Sequence, residues 1–143
     1  MSKSNIKNFH GGLINQTATI VRKAGADIKD VRNRIMKYDE NGNFVLATAG
    51  TDFPIGVALI EAGYNDISGV ESGAVPAGED VTIQIKDIGY VLAGAEIKEG
   101  QEVTSGADGL AAVAVDGDYV VGIALNTVAV GGYCEIQHMR YKK

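Results

Sequence analysis

The chain carries the same ordered set of short motifs twice, and this repetition limits the folds that it can adopt. Four segments of the first half return in the second half: GADIKD at 25–30 as GAEIKE at 94–99, NG at 41–42 as DG at 108–109, PIGVAL at 54–59 within YVVGIAL at 119–125, and IQ at 83–84 as IQ at 136–137. The order of the segments is the same in both halves. We therefore expect two copies of one unit of strands and turns, packed as a single scaffold.

Turn signals separate about ten short apolar segments, which is typical of an all-β fold. Residues 34–38 and 43–48 are predicted to form a hairpin across Asn41-Gly42, because Asn-Gly supplies the positive φ that such turns need. The segment 27–36 fits a helical spacing as well as a turn followed by a strand, and comparison with the second copy favours turn and strand. The predicted architecture is a small β-barrel or β-sandwich built from two internally repeated strand-turn units.

The predicted organisation is one β domain preceded by an extended arm. Residues 1–16 are polar and are interpreted as the arm, and 17–143 as a single domain, with repeat one at about 20–86 and repeat two at about 87–138. Each copy has a predicted strand that ends in Ala-Leu, at 58–59 and at 124–125. The copies differ most directly after this strand, where the first copy carries a longer segment at 61–74. Insertions within a repeat usually map to loops on a binding face, so this segment is a candidate contact loop.

Charge is unevenly distributed, which indicates a binding face. Residues 1–38 carry eight Lys and Arg against two Asp, whereas the net charge of the whole chain is −5. The basic residues are not interleaved with aromatic ones, so nucleic acid is not an expected partner. An acidic protein surface or another copy of the chain fits better. No apolar run is long enough for a transmembrane helix, and no signal peptide is recognisable at the N-terminus, so no membrane partner is expected.

No combination of residues indicates a catalytic, cofactor or metal site. Asp39, Asn41 and Asn43 have the spacing of the first ligands of a calcium loop, but the Gly and Glu that such a loop needs later are missing, which favours a hairpin turn. His10 and His138 each lack a partner at ligand spacing, and Cys134 fits a buried, inert thiol. We therefore expect neither an enzyme nor a cofactor.

The ordered motifs resemble those of the small decoration, or head cement, proteins of tailed bacteriophages. The resemblance lies in NGNFVLATAGTD at 41–52 followed by PIGVAL at 54–59, and in GAEIKEG at 94–100 followed by DG at 108–109 and VGIAL at 121–125. It covers roughly 20–138 and leaves out the arm.

The resemblance implies a non-enzymatic virion protein that is made in the host cytoplasm. Such proteins bind the outer surface of an assembled capsid and stabilise it by bridging major capsid subunits, many of them as homotrimers. The residues expected to contact the capsid or another subunit are Lys3, Lys7, Phe9, Arg22, Lys23, Arg32, Arg34, Tyr64, Asn65 and Asp66. An alternative is an exposed binding module for carbohydrate or a host surface, in which Tyr64, Tyr90, Tyr119 and Tyr133 stack on sugars.

Overall fold

The computed structural model describes residues 17–59 and 73–143, and these residues form ten strands. The strands are β1 Thr19–Lys23, β2 Ile35–Tyr38, β3 Phe44–Leu46, β4 Gly56–Ala58, β5 Asp80–Gln84, β6 Ile88–Leu92, β7 Glu102–Ser105, β8 Ala111–Val113, β9 Tyr119–Ala124 and β10 Tyr133–Lys142. One 3₁₀ turn, Ala107–Gly109, is the helical element in this part of the chain. The predicted all-β fold is confirmed.

The strands form two antiparallel sheets of five strands with the same order. The first sheet runs β1-β5-β4-β2-β3 and the second runs β6-β10-β9-β7-β8, so each strand has its counterpart five strands later. The registers agree as well. Ile20 pairs with Ile83 in the first sheet, and their counterparts Gly89 and Ile136 pair in the second. The predicted internal repeat is therefore confirmed strand by strand.

Glycines at positive φ shape the equivalent hairpin turns. Gly42 has a φ of 80° and Gly109 a φ of 71°, a backbone region that glycine enters without steric cost. In the first turn the Asp39 carboxylate accepts hydrogen bonds from the amides of Asn41, at 2.8 Å, and Asn43, at 3.0 Å. The triplet with calcium-loop spacing thus stabilises a hairpin, as the sequence favoured.

Each sheet curls because its two edge strands meet at one end. Ala24, directly after β1, forms a parallel bridge with Phe44 on β3, and Ala93 forms the equivalent bridge with Ala111 on β8. These are isolated bridges, and neither continues into a ladder that would close its sheet into a barrel. Of the two predicted architectures, the structure fits the sandwich-like one.

Each repeat has a hydrophobic core, and the second core also includes side chains of the first repeat. The first core contains Ala24, Ile28, Val31, Met36, Phe44, Ala58, Val75, Val81 and Ile83. The second contains Val91, Ala93, Ile97, Val103, Ala111, Val121, Ala124, Cys134 and Ile136, together with Ile35, Ala47 and Val57. Because neighbouring strand residues point to opposite faces, Ile35 and Met36 lie in different cores. The first sheet is therefore buried on both faces at β2 and β4.

The structure corrects two predicted strand boundaries and one part of the alignment between the copies. The apolar run at 53–60 predicts one strand, but β4 is limited to Gly56–Ala58 in the described part of the chain, since Pro54 has no amide hydrogen to give to a longer ladder. The sequence predicts a last strand at 133–139, but β10 continues to Lys142, because after a bulge it pairs with β9 again. The segment before β2 is a turn without a helix, as favoured from the repeat.

The third correction concerns the alignment of the copies. The backbone bond from Arg34 to Val31 matches the one from Gln101 to Lys98, each 3.1 Å long. Ile28 and Ile97 remain equivalent, because each bridges to a residue in the connection before the equivalent strand, Val75 before β5 and Val128 before β10. The first copy therefore has two additional residues after Ile28, and Lys29-Asp30 does not correspond to Lys98-Glu99.

Candidate functional site

The two repeats meet where the loop before β2 contacts the outer edge of β6. The Asn33 side-chain amide donates a hydrogen bond to the Tyr90 carbonyl at 3.1 Å, and the Leu92 amide donates to the Asn33 carbonyl at 3.0 Å. The Arg34 guanidinium donates to the Asp108 carbonyl at 3.0 Å. β6 is an edge strand, so these bonds use backbone groups that an isolated sheet would expose. We call this set of contacts the junction.

Two glycines allow the backbones of the repeats to touch at the junction. A Cβ on Gly109 would lie 2.7 Å from the Ile35 carbonyl oxygen and 3.1 Å from the Arg34 Cβ. Gly50 lies against the Asp118 carboxylate, and its carbonyl accepts a hydrogen bond from the Tyr119 amide at 2.7 Å. The junction is thus a close backbone contact, and it makes the two repeats one packed unit.

Two of the predicted contact residues lie on β1, the edge strand of the first sheet. Arg22 and Lys23 are both exposed. The Lys23 ammonium is 3.0 Å from the Asp80 carboxylate, opposite it on β5, and the Arg22 guanidinium donates to the Val21 carbonyl at 2.8 Å. An exposed pair of this kind contributes little to folding stability, so both side chains remain available to a partner.

Two others, Arg32 and Arg34, lie beside the junction and converge on one carboxylate. The Arg32 guanidinium makes two 3.0 Å hydrogen bonds to Asp30, and that of Arg34 lies 3.9 Å away. Partial burial favours a higher pKa for the Asp30 carboxyl, but the hydrogen bonds from Arg32 and both positive charges outweigh it and lower the pKa. The basic third of the sequence is therefore divided between the β1 edge and this ion-paired cluster.

The remaining predicted contact residues fall outside the part of the chain that the structure describes. They are Lys3, Lys7 and Phe9 of the arm, and Tyr64, Asn65 and Asp66 of the long connection. Their assignment as contact residues stays a prediction.

A half-exposed apolar surface lies on the open face of the second sheet. Ile88 is 57% exposed, and Tyr90 and Tyr133 are each 50% exposed. Tyr90 pairs across the strands with Glu135, and its hydroxyl donates to the Glu135 carboxylate at 3.2 Å. The negative charge of Glu135 and this hydrogen bond raise the pKa of Tyr90. We call Ile88, Tyr90 and Tyr133 the β6–β10 face, and it offers apolar contact beside hydrogen-bonding groups.

Sequence reasoning singled out the tyrosines of this face but missed Ile88. The signal was an isoleucine at the first position of β6, where the alternation places its side chain on the same side as that of Tyr90.

Tyr119, another of the proposed sugar-stacking residues, packs edge-on against Phe53 with ring centroids 5.2 Å apart, and the Lys142 ammonium lies above its ring.

A cleft of about 280 Å³ lies between the repeats and is lined by Ile55, Ile85, Val121, His138, Met139 and Arg140. His138 Nε2 is buried without a hydrogen-bond partner in the described part of the chain. Burial lowers the pKa of His138, against the opposing charge of Asp87, which favours a neutral imidazole. The Arg140 guanidinium donates to the Ile55 carbonyl at 3.2 Å and lies 5.1 Å from the Phe53 ring centroid, so it links the repeats.

Cys134 is fully buried, and burial followed by the nearby Glu135 charge raises its pKa, which disfavours the reactive thiolate. Within residues 17–59 and 73–143, no three His, Cys, Asp or Glu side chains are grouped closely enough to hold a metal ion. In the same ranges no helix has the length and apolar character needed to cross a membrane.

Comparisons with known proteins identify a similar solved structure. No family model and no curated protein sequence matches the chain. The fold is similar to that of the head fiber gp8.5 N base of bacteriophage phi29, with a TM-score of 0.56 and 20% sequence identity. The match covers 87% of this chain and 96% of that one. At this identity the comparison establishes a shared fold across nearly the whole of both chains.

Proposed function

We propose that this protein is a structural component of a phage virion. In this proposal it binds the outer surface of an assembled capsid and stabilises the shell by bridging major capsid subunits, as a homotrimer. It needs no cofactor, catalyses no reaction and does not bind nucleic acid. The observation that carries the proposal is the fold shared with a phage head fiber protein over 96% of that chain. The sequence resemblance to head decoration proteins supports the same class.

The rigid core of the protein is suited to this role. The two repeats share buried side chains and backbone hydrogen bonds, so a load applied to one repeat is transmitted to the other. Binding sites on a capsid lattice repeat with fixed spacing, and a stiff trimer engages several of them at once with high avidity.

The proposed capsid contacts are the arm at 1–16, the connection at 61–74 and the exposed β1 residues Arg22 and Lys23. The β6–β10 face supplies apolar area that charged residues alone lack. Contacts through exposed lysine and arginine side chains are screened by salt, whereas apolar contacts are much less so. The salt dependence of shell binding therefore measures how much the charged contacts contribute relative to the apolar ones.

Co-sedimentation with expanded empty phage shells tests the proposal. The full chain is expected to pellet with shells up to a saturating number of copies, and the chain lacking residues 2–16 to bind more weakly. The double variant Arg22→Ala/Lys23→Ala should weaken binding more than Lys86→Ala/Lys98→Ala, which removes the same charge from exposed positions outside β1. Absence of saturable shell binding by the full chain would refute the proposal.

A second candidate function is a binding module for carbohydrate or a host surface. The half-exposed Tyr90 and Tyr133 on adjacent strands favour it, because two aromatic rings on one face can contact a sugar. Saturable binding on a glycan array that Tyr90→Ala and Tyr133→Ala both reduce would support this function. If both substitutions leave shell binding unchanged, sugar binding on this face is separate from capsid docking.

A further inference from the structure

The first repeat has an open surface that corresponds to the second repeat's half of the junction. In the second repeat that half is the outer edge of β6, and its counterpart in the first is the outer edge of β1. The alternation of the β1–β5 register points the backbone groups of Val21 and Lys23 away from β5. In the described part of the chain, the Lys23 amide has no hydrogen-bond partner.

The hairpin turns next to the β6 and β1 edges differ in the same way, because one is packed against the other repeat and its counterpart is not. Gly109 lies in backbone contact with Ile35 across the junction, whereas no described atom would lie within 4 Å of a Cβ added to its counterpart Gly42. Both glycines have positive φ and end equivalent hairpins. The surface of the first repeat therefore has the shape of the docked surface of the second, with nothing from the described residues covering it.

The second repeat has the complementary open half. Gly100 is the counterpart of Asn33, since each is the third residue of the equivalent turn, has positive φ and donates its amide to the carbonyl at the end of the equivalent strand, Ala58 or Ala124. Gly100 is exposed and has no described atom within 4 Å of an added Cβ. The loop that would dock on a β6-like edge is thus present twice, and among the described residues only the first copy is docked.

We propose that these two open halves bind each other in different copies of the chain. The loop at 100–102 of one copy docks on the β1 edge of a second copy and repeats between chains the junction that joins the repeats within each chain. Such a contact is heterologous, and successive contacts close into a ring when the rotation allows it. The inference rests on the proposed function in one respect, since it supplies the interface of the proposed homotrimer.

Charge supports a second copy as the occupant of the β1 edge. The β1 edge carries the exposed basic residues Arg22 and Lys23, and Lys23 pairs with the Asp80 carboxylate of β5. The opposite half carries the acids Glu99, Asp116 and Asp118 against Lys98 and Lys143, so acids outnumber bases there. Opposite charges across an interface speed association and set its orientation.

The internal junction specifies the expected contacts. The Lys23 amide should donate to the Gly100 carbonyl of the neighbouring copy, as the Leu92 amide donates to that of Asn33. Gln101 takes the place of Arg34. Its side-chain oxygen accepts a bond from the Lys98 amide at 2.7 Å, which leaves its NH₂ group to donate to the turn at 41–42 of the neighbour.

Sedimentation velocity of the full chain over a range of concentrations tests the inference. The wild-type chain is expected to associate reversibly, and Lys23→Pro to abolish association by removing the amide. This amide lies outside the β1–β5 ladder, so proline is compatible with the edge strand. The control Lys23→Ala loses the ion pair with Asp80 but keeps the amide, and should associate. A wild-type chain that stays monomeric up to about 1 mM would overturn the inference.

Gly100 offers a gain-of-function test that does not depend on proline. Gly100→Asn installs the amide that Asn33 uses at the internal junction and should tighten association about 2- to 10-fold, the equivalent of one hydrogen bond. Gly100→Asp has the same size and tolerates positive φ equally, but it places an acceptor against the Val21 carbonyl and should weaken association. Equal effects of Asn and Asp would contradict the proposed geometry.

Mixing variants tests the head-to-tail orientation. Lys23→Pro retains its loop and Gly100→Asp retains its β1 edge, so the two should form a 1:1 complex that is tighter than the self-association of Gly100→Asp, although Lys23→Pro alone stays monomeric. A complex that fails to form on mixing would overturn the heterologous arrangement. If only the chain lacking residues 2–16 associates, the chain's own arm covers the edge and the inference is wrong. Shell binding is measured separately, so failure of capsid docking would leave a positive mixing result intact.

Discussion

The substitution Gly109→Ala, with Gly42→Ala as its matched control, measures how much the junction contributes to stability. Both glycines end equivalent hairpins at positive φ, so in both an alanine incurs a left-handed strain of about 1–2 kcal/mol. At Gly42 the added methyl meets open space. At Gly109 it lies 2.7 Å from the Ile35 carbonyl oxygen, and crowding of this kind costs about a further 1–3 kcal/mol.

We therefore expect Gly42→Ala to lower the free energy of unfolding by about 1–2 kcal/mol and Gly109→Ala by about 2–5 kcal/mol. Urea unfolding followed by circular dichroism gives both values. Low micromolar protein keeps any contact between chains at Gly42 from contributing. Thermal scans should show the same order, with about 2–4 °C lost per kcal/mol. Equal losses in the two variants would refute the close packing of the repeats at Gly109.

Three further substitutions test other parts of the structure. Asn33→Asp keeps the side-chain shape but faces the Tyr90 carbonyl with an acceptor, and should cost about 1–3 kcal/mol in urea unfolding. A loss no larger than in Asn33→Gly would contradict that hydrogen bond. His138 has a lowered pKa in the fold, so the unfolded chain binds its proton more readily and stability should fall as the pH drops through the ordinary value of 6.5. His138→Gln should show a shallower loss over that range, and an unchanged profile would refute the burial of a neutral ring. Phe53→Leu removes the edge-on contact with Tyr119 and should cost about 0.5–1.5 kcal/mol in the same assay, whereas an unchanged midpoint would show that this contact contributes nothing.

The duplication was readable from the sequence because its strongest signals are local. Asn41-Gly42 and Asp108-Gly109 are set by the φ values that their turns require, and such requirements act within a few residues. The predicted hairpin strands at 34–38 and 43–48 lie within two residues of β2 and β3 for the same reason, since apolar alternation reflects one buried face. The resemblance to phage head proteins also agrees with the structural neighbour, which is itself a phage head protein.

The distribution of positive charge was harder to predict. The sequence places Arg22, Lys23, Arg32 and Arg34 within one basic stretch. In the fold, Arg22 and Lys23 lie on β1, whereas Arg32 and Arg34 lie in the turn before β2. Arg32 and Arg34 then share the Asp30 carboxylate, whereas Arg22 stays on an exposed edge. Net charge along a chain therefore does not define a charged surface until the strand order is known.

The junction left one faint signal in the sequence. Ile35 in the first repeat stands where the second has Glu102, an apolar residue in place of a charged one on the outward face of equivalent strands. A difference of this kind between copies indicates that the two outward faces have different surroundings. Ile35 lies in the core of the second repeat, whereas the Glu102 carboxylate accepts a hydrogen bond from the Tyr141 hydroxyl and pairs with the Lys143 ammonium at 2.9 Å.

The amino-acid sequence by itself determined that this protein is an all-β chain made of two similar halves, because turn residues and apolar alternation are requirements that each short segment meets alone. Only the tertiary structure decided that the halves dock asymmetrically, with the outer face of one packed into the core of the other and one copy of each half of the junction uncovered by the described residues. Two copies of one unit have two identical sets of surfaces, and which of them meet depends on contacts between residues far apart in the chain.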